Sequence, residues 1–89
     1  MAENKHTSHP EIIKRLNRAN GHLRSIVDMI EQERPCVEIA QQLRAVENAI
    51  ASAKRALISD HIDHCLIHAD AGEGSRQAID EFRAISKYW

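Results

Sequence analysis

The sequence predicts an all-α fold, in which one chain forms three helices and the central helix is long. Apolar residues recur every three or four positions over most of the 89 residues, and no segment alternates as a strand does. After Pro35 the next glycine or proline is Gly72, so this helical stretch is longer than most globular helices. The chain has one Trp, one Tyr and one Phe, so its core must be aliphatic. We expect so small a core to be completed by oligomerisation.

The first helix is predicted over residues 9–32. Ser8 stands at the N-cap position and Glu11 follows three residues later, which is the pattern of a capping box. Gly21 interrupts the helix at a cost of about 1 kcal/mol relative to alanine, so we expect a close helix approach there. The apolar positions are Ile12, Ile13, Leu16, Ala19, Leu23, Ile26, Val27 and Ile30. Residues 31–34 form a short connection, which predicts an antiparallel hairpin of the first two helices.

The central helix is predicted from Pro35 to about Asp70. Proline suits the first turn of a helix because its missing N–H would have no partner there. Small residues recur at every fourth position, at Ala45, Ala49 and Ala53. Such a stripe lets two helices approach closely, so we expect it to form the seam with a second copy of this helix.

The third helix is predicted over residues 76–87, after a turn at 70–74 and with Ser75 as its cap. The domain organisation that follows is a flexible N-terminal arm, residues 1–8, and a single helical domain, residues 9–89.

Composition narrows the class of protein. The formal net charge of −1 shows no global basic field, so DNA binding would need a local basic patch. The sequence has no apolar run of 18 residues and no signal peptide, which predicts a soluble cytoplasmic protein with no membrane partner. In that compartment the two cysteines are expected to be reduced ligands or reactive thiols.

Three residues at the two ends of the central helix predict a shared metal site. His61 and Cys65 are four residues apart, so both project from one helix face and can bind one ion. Cys36 lies 25 residues before His61 (61 − 36), which is roughly 37 Å along a straight helix. Cys36 and His61 of one chain therefore cannot bind the same ion. Two antiparallel copies of the helix can bring Cys36 of one chain to His61 and Cys65 of the other, giving two equivalent sites.

The donor atoms indicate which metals would fit. Two thiolates and one imidazole favour three-coordinate Cu(I). A fourth nitrogen would suit Ni(II), Co(II) or Zn(II), and His6 and His9 are the candidates near the N-terminus. His64, three residues after His61, can also lean toward the site. His22, in the middle of the first helix, is expected to pack or to form a hydrogen bond and not to bind metal.

Basic residues are distributed along the first two predicted helices. The candidates for contact with DNA are Lys14, Arg15, Arg18, Lys54 and Arg55. They form either a solvated face that pairs with nearby carboxylates or a patch that contacts phosphates. Charge alone favours the solvated face.

Four segments resemble the CsoR/RcnR family, which includes the copper-sensitive operon repressor and the nickel/cobalt-responsive repressor. They are RLNRANGHLRSIVDMIE, PCVEIAQQLRAVENAI, DHIDHC and QAIDEF, and the resemblance extends from Ile12 to Lys87. It implies an antiparallel four-helix-bundle dimer of three-helix chains and a tetramer formed as a dimer of dimers. It also implies a repressor that binds operator DNA without metal and releases it when metal binds, which derepresses a metal exporter.

The resemblance implies roles for individual residues. Cys36, His61 and Cys65 match metal ligands, and Glu81 matches an acidic residue that couples the metal site to allostery. Arg15 matches a residue implicated in DNA contact, and Lys54 and Arg55 fall on a basic stretch of the second helix.

Two departures bear on the metal. Pro35 stands where copper sensors often carry Tyr, and the histidines of HTSHP look like those of nickel/cobalt sensors, whereas Cys65 replaces a His of the nickel/cobalt prototype. The resemblance thus favours Ni(II)/Co(II) slightly over Cu(I).

Two other functions stay open. One is a thiol-based sensor of formaldehyde or persulfide with the same fold, in which Cys36 reacts. The other is a metal-binding dimer that never contacts DNA. An enzyme is not expected, because no set of nucleophile, base and orienting residue is found in the sequence.

Overall fold

The structure is a computed structural model. It describes the backbone of residues 8–67 and 73–89, and the side chains of residues 8–64 and 76–89. Three helices follow one another: α1 (His9–Glu31), α2 (Cys36–Ile67) and α3 (Glu73–Ser86). The described residues contain no strand, so the predicted all-α class is confirmed. No helix within these ranges is long and apolar enough to cross a membrane.

Helix α1 begins where the sequence predicts, but its expected cap is not made. Ser8 directly precedes the helix, and its buried Oγ has no hydrogen-bond partner among the described residues. The capping-box prediction is therefore wrong for the hydroxyl. Glu11 instead lies 3.9 Å from Arg18, measured from its Oε2 to Nη2, as an exposed ion pair.

The end of α1 is closed by a Schellman motif. The N–H of Arg34 donates to the carbonyl of Met29 at 3.0 Å, and the N–H of Glu33 donates to Ile30 at 3.0 Å. Glu33 has a φ of 56°, in the left-handed region that this motif requires and that glycine usually supplies. The motif reverses the chain within a few residues and so sets up the hairpin with α2.

Helix α2 is a single helix of 32 residues, as the breaker-free sequence predicts. The carbonyl of Pro35 accepts a hydrogen bond from the N–H of Ile39 at 3.1 Å, so proline stands immediately before the first helical residue, Cys36. An ion pair between Arg34 and Glu38 spans this first turn.

Helix α3 begins at Glu73, three residues before the predicted start. Ser75 therefore lies inside the helix, and its prediction as the cap is wrong. Part of the predicted turn at 70–74 lies outside the described residues. At the other end the Ser86 hydroxyl donates to the carbonyl of Arg83 at 3.0 Å.

The described residues divide into two compact units. The hairpin unit comprises Pro10–Ala53, with α1 and the first half of α2. The C-terminal unit comprises residues 54–89 together with Ser8 and His9. The assignment of one domain over residues 9–89 stays a prediction, and residues 1–7 of the predicted arm lie outside the described part of the chain.

The two helices of the hairpin unit are antiparallel, as their short connection predicts. His22 of α1 contacts Gln42 of α2, whereas Arg15, earlier in α1, lines a groove with Ser52, later in α2. The core of this unit is aliphatic. Its buried residues are Ile12, Ala19, Ile26, Val46 and Ala53.

The alanine stripe of α2 is only partly buried inside its own chain, since Ala53 is buried whereas Ala45 and Ala49 are exposed. Ala53 is only 1% exposed within its own chain, and Ala49 lines a groove together with Ala19 of α1. Ala53 therefore lets α1 and α2 approach each other inside one chain. The seam expected between the stripe and a second copy of α2 stays a prediction. The aliphatic side chains left exposed are larger. In the hairpin unit they are Ile13, Leu16, Leu23, Val27, Ile30, Val37, Leu43 and Ile50.

The structure corrects the expectation for Gly21. A Cβ added to this residue would meet no atom of the described part of the chain within 4 Å, so no close helix approach within this part explains the glycine.

We predict that Gly21→Ala stabilises the chain. Alanine loses less backbone entropy than glycine in a helix, so the free energy of unfolding should rise by about 0.5–1 kcal/mol. Chemical denaturation at a fixed protein concentration would measure the change. A loss of stability would contradict the open space around Gly21.

Candidate metal centre and nucleic-acid interface

Cys36 is the first residue of α2, and its thiol is free and exposed. Its position follows from the chain reversal at the end of α1, which starts a new helix directly after Pro35. An exposed thiol at the tip of the hairpin unit is accessible to a metal ion, to a small electrophile or to a second chain.

His61 lies in the C-terminal unit, where it is half-buried on α2. Its Nε2 is 3.8 Å from Oε2 of Glu81, which α3 supplies. This separation is longer than a hydrogen bond but short enough for the carboxylate to attract a positively charged ring. The fold thus brings together the predicted ligand and the predicted acidic residue.

The other predicted ligands of α2 are described in part. His64 is half-buried, three residues after His61. Cys65 belongs to α2, but its side chain lies outside the described residues, as does all of His6. Among the side chains that are described, no group of three or more His, Cys, Asp or Glu is close enough to hold a metal ion.

His9 is the first residue of α1 and lies against α2. Its Nε2 is 3.8 Å from Oδ2 of Asp60, whose side chain is 20% exposed. Asp60 was not among the predicted site residues. It directly precedes His61, but only the packing of the start of α1 against α2 reveals its contact with His9.

All five predicted DNA-binding residues are exposed. Lys14, Arg15 and Arg18 lie on α1, and Lys54 and Arg55 lie on α2. Two of them meet in one feature, which we call the cationic groove. It has a volume of about 420 Å³ and is lined by Arg15, Arg18, Ala19, His22, Ala49 and Ser52. Lys14, Lys54 and Arg55 do not line it.

A hydrogen bond holds His22 beside this groove. Its Nε2 lies 2.6 Å from the amide oxygen Oε1 of Gln42, 20 residues away in sequence. The expectation that His22 forms a hydrogen bond is confirmed. Neither Gln42 nor Ser52 was predicted as part of a site, because their place depends on how α1 and α2 align in the hairpin.

A second groove of the hairpin unit is apolar. Its lining residues are Leu16, Ala19, Asn20, Leu23, Val46 and Ile50. Ala19 borders both grooves, so α1 and α2 together present one cationic and one apolar surface.

Known proteins are similar to this chain over most of its length. The family model described as "metal-sensitive transcriptional repressor" matches residues 8–87. The copper-sensing transcriptional repressor CsoR of Bacillus subtilis is 36% identical over 77 residues, which are 86% of this chain and 76% of that protein. The copper-sensing transcriptional repressor RicR of Mycobacterium tuberculosis is 38% identical over 61 residues, covering 68% of this chain and 64% of RicR.

A solved structure agrees with the fold. The nickel-responsive transcriptional regulator InrS matches with a TM-score of 0.82 and 28% sequence identity, and the match covers 96% of both chains. The similar proteins thus include copper-sensing and nickel-responsive regulators.

We predict that Gln42→Ala lowers the free energy of unfolding by about 1 kcal/mol, because it removes a part-buried hydrogen bond to His22. Chemical denaturation would measure the change. Gln41→Ala is the matched control, since Gln41 is exposed on the same helix and its loss should cost less than about 0.5 kcal/mol. Equal effects of the two substitutions would argue against the hydrogen bond.

Proposed function

This chain belongs to the family of metal-sensitive transcriptional repressors, and we propose that Ni(II), Co(II) or Cu(I) is the signal to which it responds. It is a metal-responsive repressor that binds operator DNA in the metal-free form and is released when metal binds. The gene under its control would encode a metal exporter. Like the rest of its family it is a regulator, and we assign it no enzymatic role. We place it in the cytoplasm, without a membrane partner.

The observation that carries the proposed metal site is the continuity of α2. Cys36 begins this helix, and His61 and Cys65 follow near its other end. Their separation of 25 residues corresponds to roughly 37 Å of unbroken helix, so one chain cannot close a site from these ligands. An antiparallel second copy would bring the partner chain's first α2 residue to His61 and Cys65. This supports a site shared between two chains.

The exposed aliphatic side chains support such a dimer. Leu16, Leu23 and Ile50 border an apolar groove and are each 40% exposed or more in the isolated chain. A second copy that covers this surface would bury it, which is the main driving force for association. We propose a homodimer built on these faces and a homotetramer built from two dimers.

The donor set fits the proposed metals. Cys36, Cys65 and His61 offer two thiolates and an imidazole, which suit Cu(I) in a three-coordinate site. One further nitrogen from His6, His9 or His64 would suit Ni(II), Co(II) or Zn(II). We favour Ni(II)/Co(II) slightly, since His9 lies beside Asp60, the residue before His61.

Glu81 offers a route from the metal to the rest of the protein. Its carboxylate lies beside His61 and belongs to α3, so a change in the ring on metal binding would be felt by that helix. Allosteric coupling of this kind is typically about 1–3 kcal/mol per site. We propose that this coupling weakens the contact between the basic residues of α1 and α2 and the operator.

One observation also suits the alternative of a thiol-based sensor. Cys36 is exposed, so formaldehyde or a persulfide donor could reach its thiol. Release of DNA by such a reagent, together with no effect of metal, would favour this alternative. A metal-binding dimer without a DNA partner would be excluded by salt-dependent binding to a duplex from the promoter of its own gene.

We predict that Cys36→Ala still binds operator DNA but is no longer released by metal, because the variant lacks a ligand and keeps the basic residues. Fluorescence anisotropy of a labelled operator duplex, with and without metal, would measure both properties. Val37→Ala is the control, since it truncates the exposed neighbouring residue and should behave as the unsubstituted chain does. Metal-induced release of DNA from Cys36→Ala would disprove the shared site.

We predict that His6 and His9 determine which metal ion the site binds. Anaerobic titration with Co(II) should produce strong thiolate-to-cobalt charge transfer and DNA release, and both should be lost when His6 and His9 are replaced by alanine. Release by Cu(I) alone, unaffected by this double replacement, would instead indicate a trigonal copper site of Cys36, His61 and Cys65.

A further inference from the structure

The cationic groove gathers positive charge in a chain whose net charge is −1. Arg15 and Arg18 contribute guanidinium groups, and Ser52 adds a hydroxyl that can donate. No carboxylate is among its lining residues. Glu11 is the acidic side chain that an ion pair places near Arg18, and both members of that pair are largely exposed. A groove lined by hydrogen-bond donors and by no carboxylate suits an oxyanion as its ligand. In DNA the oxyanion is the backbone phosphate.

The hydrogen bond of His22 decides what its ring can offer to such a ligand. An amide oxygen can only accept, so Nε2–H of His22 donates to Oε1 of Gln42. In a neutral ring the remaining nitrogen, Nδ1, then carries only a lone pair. A phosphate oxygen is also an acceptor, so the ring can donate to it only after Nδ1 is protonated.

Among the described residues that line the groove around His22, none carries a carboxylate that could replace the phosphate in this role. From α1 the charged residues lining the groove are Arg15 and Arg18, both positive. From α2 the ring meets Gln42, and the groove residues Ala49 and Ser52 are uncharged. A bound phosphate would bring the negative charge that balances a protonated ring beside two guanidinium groups. Histidine is the side chain type that changes charge near neutral pH.

We propose that the cationic groove binds a backbone phosphate of the operator, and that His22, held by Gln42, donates to this phosphate in its protonated form. DNA binding then takes up a proton at each occupied groove. The proposal rests on the proposed function and adds to it the role of His22 and a dependence on pH. The groove is open and its arginines are exposed, so it can accept a phosphate that stays attached to a duplex.

The test compares operator affinity at about pH 6 and about pH 8, where histidine changes charge, for the metal-free protein at constant ionic strength. The unsubstituted chain should bind more weakly at the higher pH, by up to about tenfold per pH unit for each proton taken up. His22→Gln should lose most of this dependence, because glutamine is a neutral donor at both values. Gln42→Ala should also reduce it, since the neutral ring regains a free N–H for the phosphate.

Two further variants test the phosphate contact of the groove separately from the role of His22. Arg44→Ala removes an exposed cation of α2 that does not line the groove, so it should keep the pH dependence of the unsubstituted chain. Arg15→Ala removes a groove cation, so its plot of log affinity against log salt should become shallower by about 1. Far-ultraviolet circular dichroism would check that each variant is folded.

The outcomes are distinct. If His22→Gln and Gln42→Ala both bind DNA with the same pH dependence as the unsubstituted chain, His22 does not donate to the phosphate in its protonated form. The proposed function is unaffected by that result. If Arg15→Ala keeps the full salt dependence, the groove is not a phosphate site. If the unsubstituted chain binds no duplex at either pH, the proposed function and this inference both fail.

Discussion

The continuity of α2 is the constraint on which the proposed metal chemistry depends. A helix without a break holds Cys36 far from His61, since each residue adds about 1.5 Å of rise. An ion bound by both residues in the proposed site would therefore join two chains, and metal occupancy would be linked to the way the chains are assembled. In the proposed shared site, that linkage would couple metal binding to the DNA-binding surface.

The hairpin of α1 and α2 separates two kinds of surface. Alanines between the helices allow their close approach, and Ala19 borders both the apolar and the cationic groove. The apolar groove favours burial against another chain, whereas the arginines of the cationic groove favour a solvated polyanion. Association and DNA binding can thus use different surfaces of the same pair of helices. A net charge of −1 hides this division, because charge summed over a chain says nothing about where the cations lie.

Much of the fold and the identity of the candidate ligands could be predicted from residue patterns. Apolar periodicity and the absence of breakers identified the helices, and α2 begins within one residue of its expected start. The errors fell at positions whose environment is tertiary. Within the described residues Gly21 faces open space and the Ser8 hydroxyl makes no cap, because spacing along one helix cannot tell which neighbour a side chain will meet.

By itself the sequence determined the three helices, their approximate bounds, and the types and spacing of the metal-ligand candidates, because these depend on local geometry. Only the tertiary structure decided that His9 lies beside Asp60, that His61 lies beside Glu81, and that Gln42 holds His22. It also selected Arg15 and Arg18 from the five basic candidates as the pair that shares a groove. Such contacts join residues distant in sequence, and they depend on the alignment and rotation of packed helices. A shift of one residue along a helix turns a side chain by about 100°, so periodicity alone cannot identify its partner.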